Sequence, residues 1–307
     1  MNTIRPAAVP ADPSGGTSAG RPRKRLKGLA PFAGFTPAAV LFGLFFIVPL
    51  GLILVYSFWR TKDYSLVHDW NLGNYRTFLH TRTYIKTFLK TVVMGVLATV
   101  TTIALAMPFC YWLVRYVSKR LQRTLLLLVV LPFWTSYLLR VYSWVAILGD
   151  NGALNTVLNK FGVTSGAHRY LLYDNPGVYL VLVYLYFPFA VLTLYASLER
   201  FDWNLLRAAR DLGATPAAAL RRVVAPQMRL SIATASIFVF IPILGEYLAP
   251  QVVGGTKGVM IGNLIANFFA GFLLPLGSAA SVLVALVIVV LLVIFRRSLD
   301  TGDVYAA

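Results

Sequence analysis

The stretch "RAARDLGATPAAALRRVVAP", residues 207–226, decides how the chain is read. Strongly apolar segments flank it, yet it is basic, alanine-rich and punctuated by one Gly-x-x-Pro, Gly213 to Pro216. It is too polar to cross a membrane and too regular for a slack loop. Upstream, Asp202 can N-cap a helix that starts at Trp203. Leu205, Leu206, Ala209 and Leu212 then recur as an apolar stripe. Gly213 falls where a left-handed C′ residue is wanted. Thr215 supplies a second N-cap, with Pro216 at the favoured first helical position. The second helix is expected to run to about Val224 and to stop at Pro226. The reading is a capped helical hairpin over about residues 200–229, serving either as a docking surface for another protein or as an interfacial helix on lipid headgroups.

The composition says what surrounds this hairpin. Of 307 residues, 58% are hydrophobic and 13% charged, against about 25% charged in soluble domains. Mean hydropathy is +0.71. An all-α integral membrane protein is expected. A net charge of +17 would point to nucleic acid in a soluble protein; here it reflects basic residues kept on one side of a bilayer, and no nucleic-acid partner is expected. The one cysteine, Cys110, lies in an apolar run and has no intramolecular partner, so neither a disulfide framework nor a thiolate metal site can form. His68, His80 and His168 are widely spaced, which argues against a histidine metal centre. No G-x-x-x-x-G-K-[ST] occurs, so any ATP chemistry belongs to another polypeptide.

Spanning a bilayer takes about 20 apolar residues. Six stretches qualify, at roughly 37–58, 91–114, 124–148, 177–198, 230–253 and 274–295. Residues 1–30 read as a disordered basic tail, 31–297 as the six-span domain and 298–307 as a short tail. An even span number puts both termini on one side. That side collects 18 Lys and Arg against 9 opposite, so the termini and the hairpin are assigned to the cytoplasm. Two opposite-side loops break a plain up-and-down plan. Residues 149–176 are mixed and turn-rich, and the second half of 254–273 reads as a short helix lying at, or dipping into, the outer surface.

Only Arg140 and Glu246 are ionisable deep within the spans. Counted along unbroken helices from Arg123 and Arg229, each lies about 25 Å in, so they reach similar depth. They form either a charged translocation wall or a structural ion pair. Trp134 and Tyr137, close by, offer aromatic faces for an amine cation or anchors at the interface. Pro132, Pro188, Pro242 and Pro250 mark places where a span can break.

The hairpin residues Ala208, Ala209, Asp211, Gly213, Ala214 and Pro226 resemble the EAA loop of binding-protein-dependent ABC importer permeases. The stretches "LPFWTSYLLRVYSW" (131–144), "IPILGEYLAPQVVGG" (241–255) and "PLGSAAS" (275–281) are similar to the spermidine/putrescine branch of that family, in the same order. The likeness covers about residues 35–297. It implies six transmembrane helices and a cytoplasmic coupling hairpin that docks in a cleft of the ATPase subunit. It also implies a second homologous permease, two ATPase subunits carrying ATP and Mg, and an extracytoplasmic solute-binding protein. The chain itself would hold no cofactor and catalyse no covalent step. Arg207 departs from the pattern, since the family begins its motif with glutamate; the charge is reversed at that point. A self-sufficient channel or secondary transporter is the rival reading, and it leaves the capped hairpin without a task. A membrane-embedded enzyme lacks any assembled acid pair, metal set or nucleophile.

Overall fold

The computed structural model describes residues 36–62, 65–162 and 171–299. The expected tail at 1–30 and all but the first two residues of the one at 298–307, together with His168 and Arg169, lie outside them. Two compact units divide the chain between Pro49 and Leu50. The first holds α1 (Thr36–Phe42) and a π-helical segment Gly43–Ile47. α2 (Val48–Tyr56) extends into the second unit. Its first elements beyond α2 were not anticipated: an antiparallel pair β1 (Arg60–Lys62) and β2 (Ser65–Val67), with Thr61 opposite Leu66, then α3 (Gly73–His80).

α4 (Arg82–Tyr116) is 35 residues long and begins nine residues before the apolar window that predicted it. A hydropathy window excludes Arg82, Lys86 and Lys90. The backbone does not, because Lys and Arg are good helix formers. α5 (Lys119–Val130) runs into a 3-10 turn, Leu131–Trp134, and α6 (Tyr137–Leu148) follows. The axis turns by 98° between Lys119–Trp134 and Tyr137–Lys160. The straight third span expected at 124–148 is therefore corrected to two segments. Pro132 has no N–H for the ladder, and the extended Thr135 and Ser136 that follow complete the break. The Thr135 hydroxyl donates to the Pro132 carbonyl at 2.6 Å, which satisfies a group the helix abandons.

α7 (Ala153–Lys160) occupies part of the turn-rich loop. α8 (Asn175–Glu199) keeps Pro188 inside it without breaking. It is apolar all round, and 56% of its span window is buried, against 22% for the last helix. A helix with no polar face belongs at the centre of a bundle. α8 packs along α4 and α11 (Arg229–Leu244), with Cys110 Sγ donating to the Val191 carbonyl at 3.4 Å.

Between them lie α9 (Trp203–Asp211) and α10 (Pro216–Ala219), the expected hairpin. Its second arm does not end at Val224. It continues as a π segment, Leu220–Val224, and a last turn, Ala225–Gln227, and the 61° bend comes only after Gln227. Pro226 is thus inside the arm rather than its stop. A proline ring collides with the carbonyl four residues back. Here the wider π turn, in which Ala225 N–H reaches the Leu220 carbonyl, accommodates it.

The fifth expected span, 230–253, is likewise interrupted, as α11 ends at Leu244 and α12 (Leu248–Val253) begins after Glu246. The predicted short helix in the next loop is α13 (Ile261–Ala270), and α14 (Leu274–Leu299) closes the chain. Among the described residues four helices are each long and apolar enough to span a membrane alone, and the number is six if each of the two bent pairs counts as one span.

Candidate functional site

Glu246 lies between α11 and α12 and is 7% exposed. Its Oε2 accepts from the Tyr137 hydroxyl at 2.5 Å and the Tyr186 hydroxyl at 2.9 Å. Its Oε1 accepts from the backbone N–H of Leu248 at 3.0 Å and of Ala249 at 3.3 Å, capping α12. Four donors converge on one side chain and join α6, α8 and α12. The start of α13 closes over it. Asn263 Nδ2 donates to the Tyr247 carbonyl at 2.6 Å, and Ile261 N–H donates to Thr91 Oγ1 at 2.8 Å. A Cβ on Gly262 would lie 2.5 Å from the Glu246 carbonyl oxygen, so only glycine allows this approach.

Of the two readings open for Arg140 and Glu246, a charged wall or a structural ion pair, the direct pair is not found: among the described residues no ion pair joins them. The equal-depth reckoning assumed straight helices, and both helices break before the charge is reached. The Arg140 guanidinium sits instead over the rings of Phe133, at 4.9 Å, and Tyr137, at 5.4 Å. Its Nε is buried without a hydrogen-bond partner. Tyr137 is therefore shared, its hydroxyl on Glu246 and its ring face on Arg140. Arg140 also lines a cavity of about 410 Å³ with Thr135, Ser143, Trp144 and Tyr184. Trp134 is not part of this cluster; it is 81% exposed on the 3-10 turn. Tyr186 escaped the sequence reading because nothing separates it from the other aromatics of "VYLYFPFA".

The hairpin is built differently. Asp202 accepts from Asn204 N–H at 2.9 Å, the expected N-cap. Gly213 has φ +86°, and its N–H reaches the Arg210 carbonyl at 2.9 Å while Ala214 N–H reaches Ala209 at 3.0 Å. These two bonds form a Schellman closure. Thr215 Oγ1 accepts from Ala218 N–H at 3.3 Å. Leu206, Ala219 and Val224 are buried, and Ala209 and Ala214 pack partly against the same core. Arg207, Ala208, Asp211, Gly213 and Pro226 are exposed. Leu212, expected in the buried stripe, is 89% exposed, and Leu205 is 43% exposed. Leu212 is the C-cap, where helical periodicity no longer sets direction.

Residues 86–301, which contain both the Glu246 cluster and the hairpin, match the model of the family described as binding-protein-dependent transport system inner membrane component. The chain belongs to this family. It is a multi-pass inner-membrane permease subunit of an ABC importer, so a partner ATPase and a solute-binding protein go with it. It is 33% identical to the spermidine/putrescine transport system permease protein PotB of Haemophilus influenzae over 257 residues, covering 83% of this chain and 88% of that one. The Escherichia coli PotB is 32% identical over 83% and 92% of the two chains. The inner membrane ABC transporter permease protein YdcU of Escherichia coli is 30% identical over 90% and 91%. In fold, the permease resembles a chain in the crystal structure of a bacterial alginate ABC transporter in complex with alginate pentasaccharide-bound periplasmic protein. That match has a TM-score of 0.72 at 17% identity and covers 89% of this chain and 96% of that one.

Proposed function

We propose that this permease forms half of the translocation pathway for a polyamine such as spermidine or putrescine. It would work with a second homologous permease, two ATPase subunits that carry ATP and Mg, and an extracytoplasmic solute-binding protein. The chain has no ATPase site of its own in this reading. Both termini and the hairpin lie on the cytoplasmic side, as the excess of Lys and Arg there supports. The single observation that carries the reading is the capped hairpin, whose polar and charged residues Arg207, Asp211 and Thr215 face outward. Ala208, Ala209 and Ala214 keep its surface low enough to enter a cleft, and Gly213 and Pro226 set the shape of its two arms. The polyamine assignment rests on the likeness to the PotB proteins.

Arg140 belongs to the wall of the pathway, seated on the ring of Tyr137, whose hydroxyl Glu246 holds in turn. Trp134 supplies an exposed aromatic face of the kind that attracts amine cations. The deciding experiment is reconstitution of the complete complex in proteoliposomes. ATP-dependent uptake of labelled spermidine or putrescine, delivered by the binding protein, is the expected result. Uptake that persists without any ATPase subunit would overturn it in favour of a channel or secondary transporter.

A further inference from the structure

We infer that Trp203 is the positioning residue through which movement of the hairpin reaches α4 and, beyond it, the break before Tyr137. This rests on the reading of the hairpin as the ATPase-coupling element. Trp203 is the first residue of α9, directly after the Asp202 cap. Its ring lies 5.0 Å from Phe201 and 5.8 Å from Tyr111, both near edge-to-face, and the Arg115 guanidinium stands 5.6 Å over it. Tyr111 and Arg115 are four residues apart on the last turns of α4, so they meet the indole from one helix face.

The hairpin's other inward contacts are of a different kind. Leu206, Ala219 and Val224 meet the core through aliphatic surface, which has no preferred direction. Edge-to-face rings and a cation over an indole do have one. A capped, Schellman-closed hairpin moves as a unit, and the Trp203 clamp is where that unit is held in orientation to the bundle.

The end of α4 is in turn tied to its neighbours. Gln122 of α5 is 1% exposed, and its Nε2 donates to the Val117 carbonyl at 2.8 Å and the Val114 carbonyl at 3.5 Å. These are carbonyls that a helix C-terminus leaves without partners. Its Oε1 accepts from the Tyr195 hydroxyl of α8 at 3.0 Å, and Lys119 Nζ meets Glu199 Oε1 at 3.0 Å. The ends of α4 and α8 and the start of α5 thus form one joint. α5 leads from that joint, without interruption, to the 3-10 turn and the 98° bend that carries Tyr137 and Arg140. Packed side chains and hydrogen-bond networks of this kind can carry coupling between distant sites, and the test is whether both ends respond to the link.

The test uses the complete complex in proteoliposomes and reads solute taken up per ATP hydrolysed. Trp203→Ala should assemble and hydrolyse ATP at the basal rate, yet lose about tenfold in solute per ATP, a typical coupling magnitude. Trp203→Phe keeps an aromatic edge and should recover most of the ratio. Arg115→Gln should give a smaller loss, and adding it to Trp203→Ala should cost nothing more, because both act on one clamp. A wild-type ratio in Trp203→Ala overturns the inference while leaving the transport function standing. So does a joint fall of assembly, ATPase rate and uptake that Trp203→Phe does not rescue, since that is the mark of a merely structural residue. Absence of ATP-dependent uptake by the wild-type complex would overturn both readings together.

Discussion

The chain turns between helices at Glu246 and again at Gly213, and it treats the two turns in opposite ways. At Glu246 the turn is buried, and side chains from two other helices come in to satisfy it: Tyr137 from α6 and Tyr186 from α8, added to the backbone of α12. At Gly213 the backbone closes on itself through two hydrogen bonds and recruits no side chain from elsewhere. Among the described residues Arg207 and Arg210 form no ion pair, and both stand exposed. The physical difference is access to water. A buried polar turn must find every partner within the protein, because each orphaned group costs free energy. An exposed turn needs only its backbone closed, which frees its side chains to meet another molecule.

The hardest blow to this contrast is Glu246→Ala, which leaves two tyrosine hydroxyls and two backbone N–H groups without an acceptor. We expect a loss of about 3 kcal/mol or more, measured as thermal or denaturant unfolding in detergent. Tyr137→Phe should cost about 1–2 kcal/mol and should couple strongly with Glu246→Gln in a double-mutant cycle. Arg140→Gln, by contrast, should not rescue Glu246→Gln, because no ion pair joins the two. Rescue would show that the charges pair after all. Next in size is Gly213→Val. No atom lies within 4 Å of a Cβ placed there, so the cost comes from the positive φ alone, about 1 kcal/mol or more. ATP hydrolysis should continue while uptake falls; unchanged stimulation by loaded binding protein and unchanged uptake would remove Gly213 from the coupling role.

Arg207→Glu restores the family's acid against a partner suited to the base. Binding to this protein's own ATPase should weaken by at most about 1 kcal/mol, and less at high salt. Equal assembly across a salt series would mean that Arg207 is only solvated. The smallest effect belongs to a cap intermediate between the two turns. Asp174, at the start of α8, accepts from Asn175 N–H at 2.7 Å and meets Lys257 at 3.4 Å. The backbone bond first, and Lys257 after it, hold its carboxyl below the usual aspartate range. A depressed folded-state pKa stabilises the fold above the unfolded value and loses that contribution as pH falls through the folded one. The stability gap between wild type and Asp174→Asn should therefore narrow as pH drops below about 4. A gap that is constant with pH would show that the carboxylate charge plays no part.

Helix class, span number and the hairpin's caps were legible because they are written locally, in Asp202, Gly213, Thr215 and Pro216. Arg140 and Glu246 were legible as charges in apolar surroundings. Their partners were not, since Tyr186 reaches Glu246 across 60 residues of chain and carries no local mark. The bend at Thr135 and Ser136 was hinted at by Pro132, yet hydropathy continues across it and conceals its size. Pro226 misled for a related reason. A proline stops an α-helix, but a π turn can carry the chain past it, and sequence periodicity does not distinguish the two. Leu212 was misplaced because the stripe was extended one residue beyond the helix that generates it.

Cys110 is the chain's single cysteine. It is fully enclosed between α4 and α8, with its thiol turned onto the Val191 carbonyl. For thiol-directed reagents the wild-type protein is therefore a blank surface. A cysteine placed at Leu212 or Arg207 would be the accessible thiol among the described residues, and it would take up a maleimide fluorophore or a nitroxide selectively. Spectroscopic distances from the hairpin tip could then be followed through the ATP cycle with the native cysteine left in place.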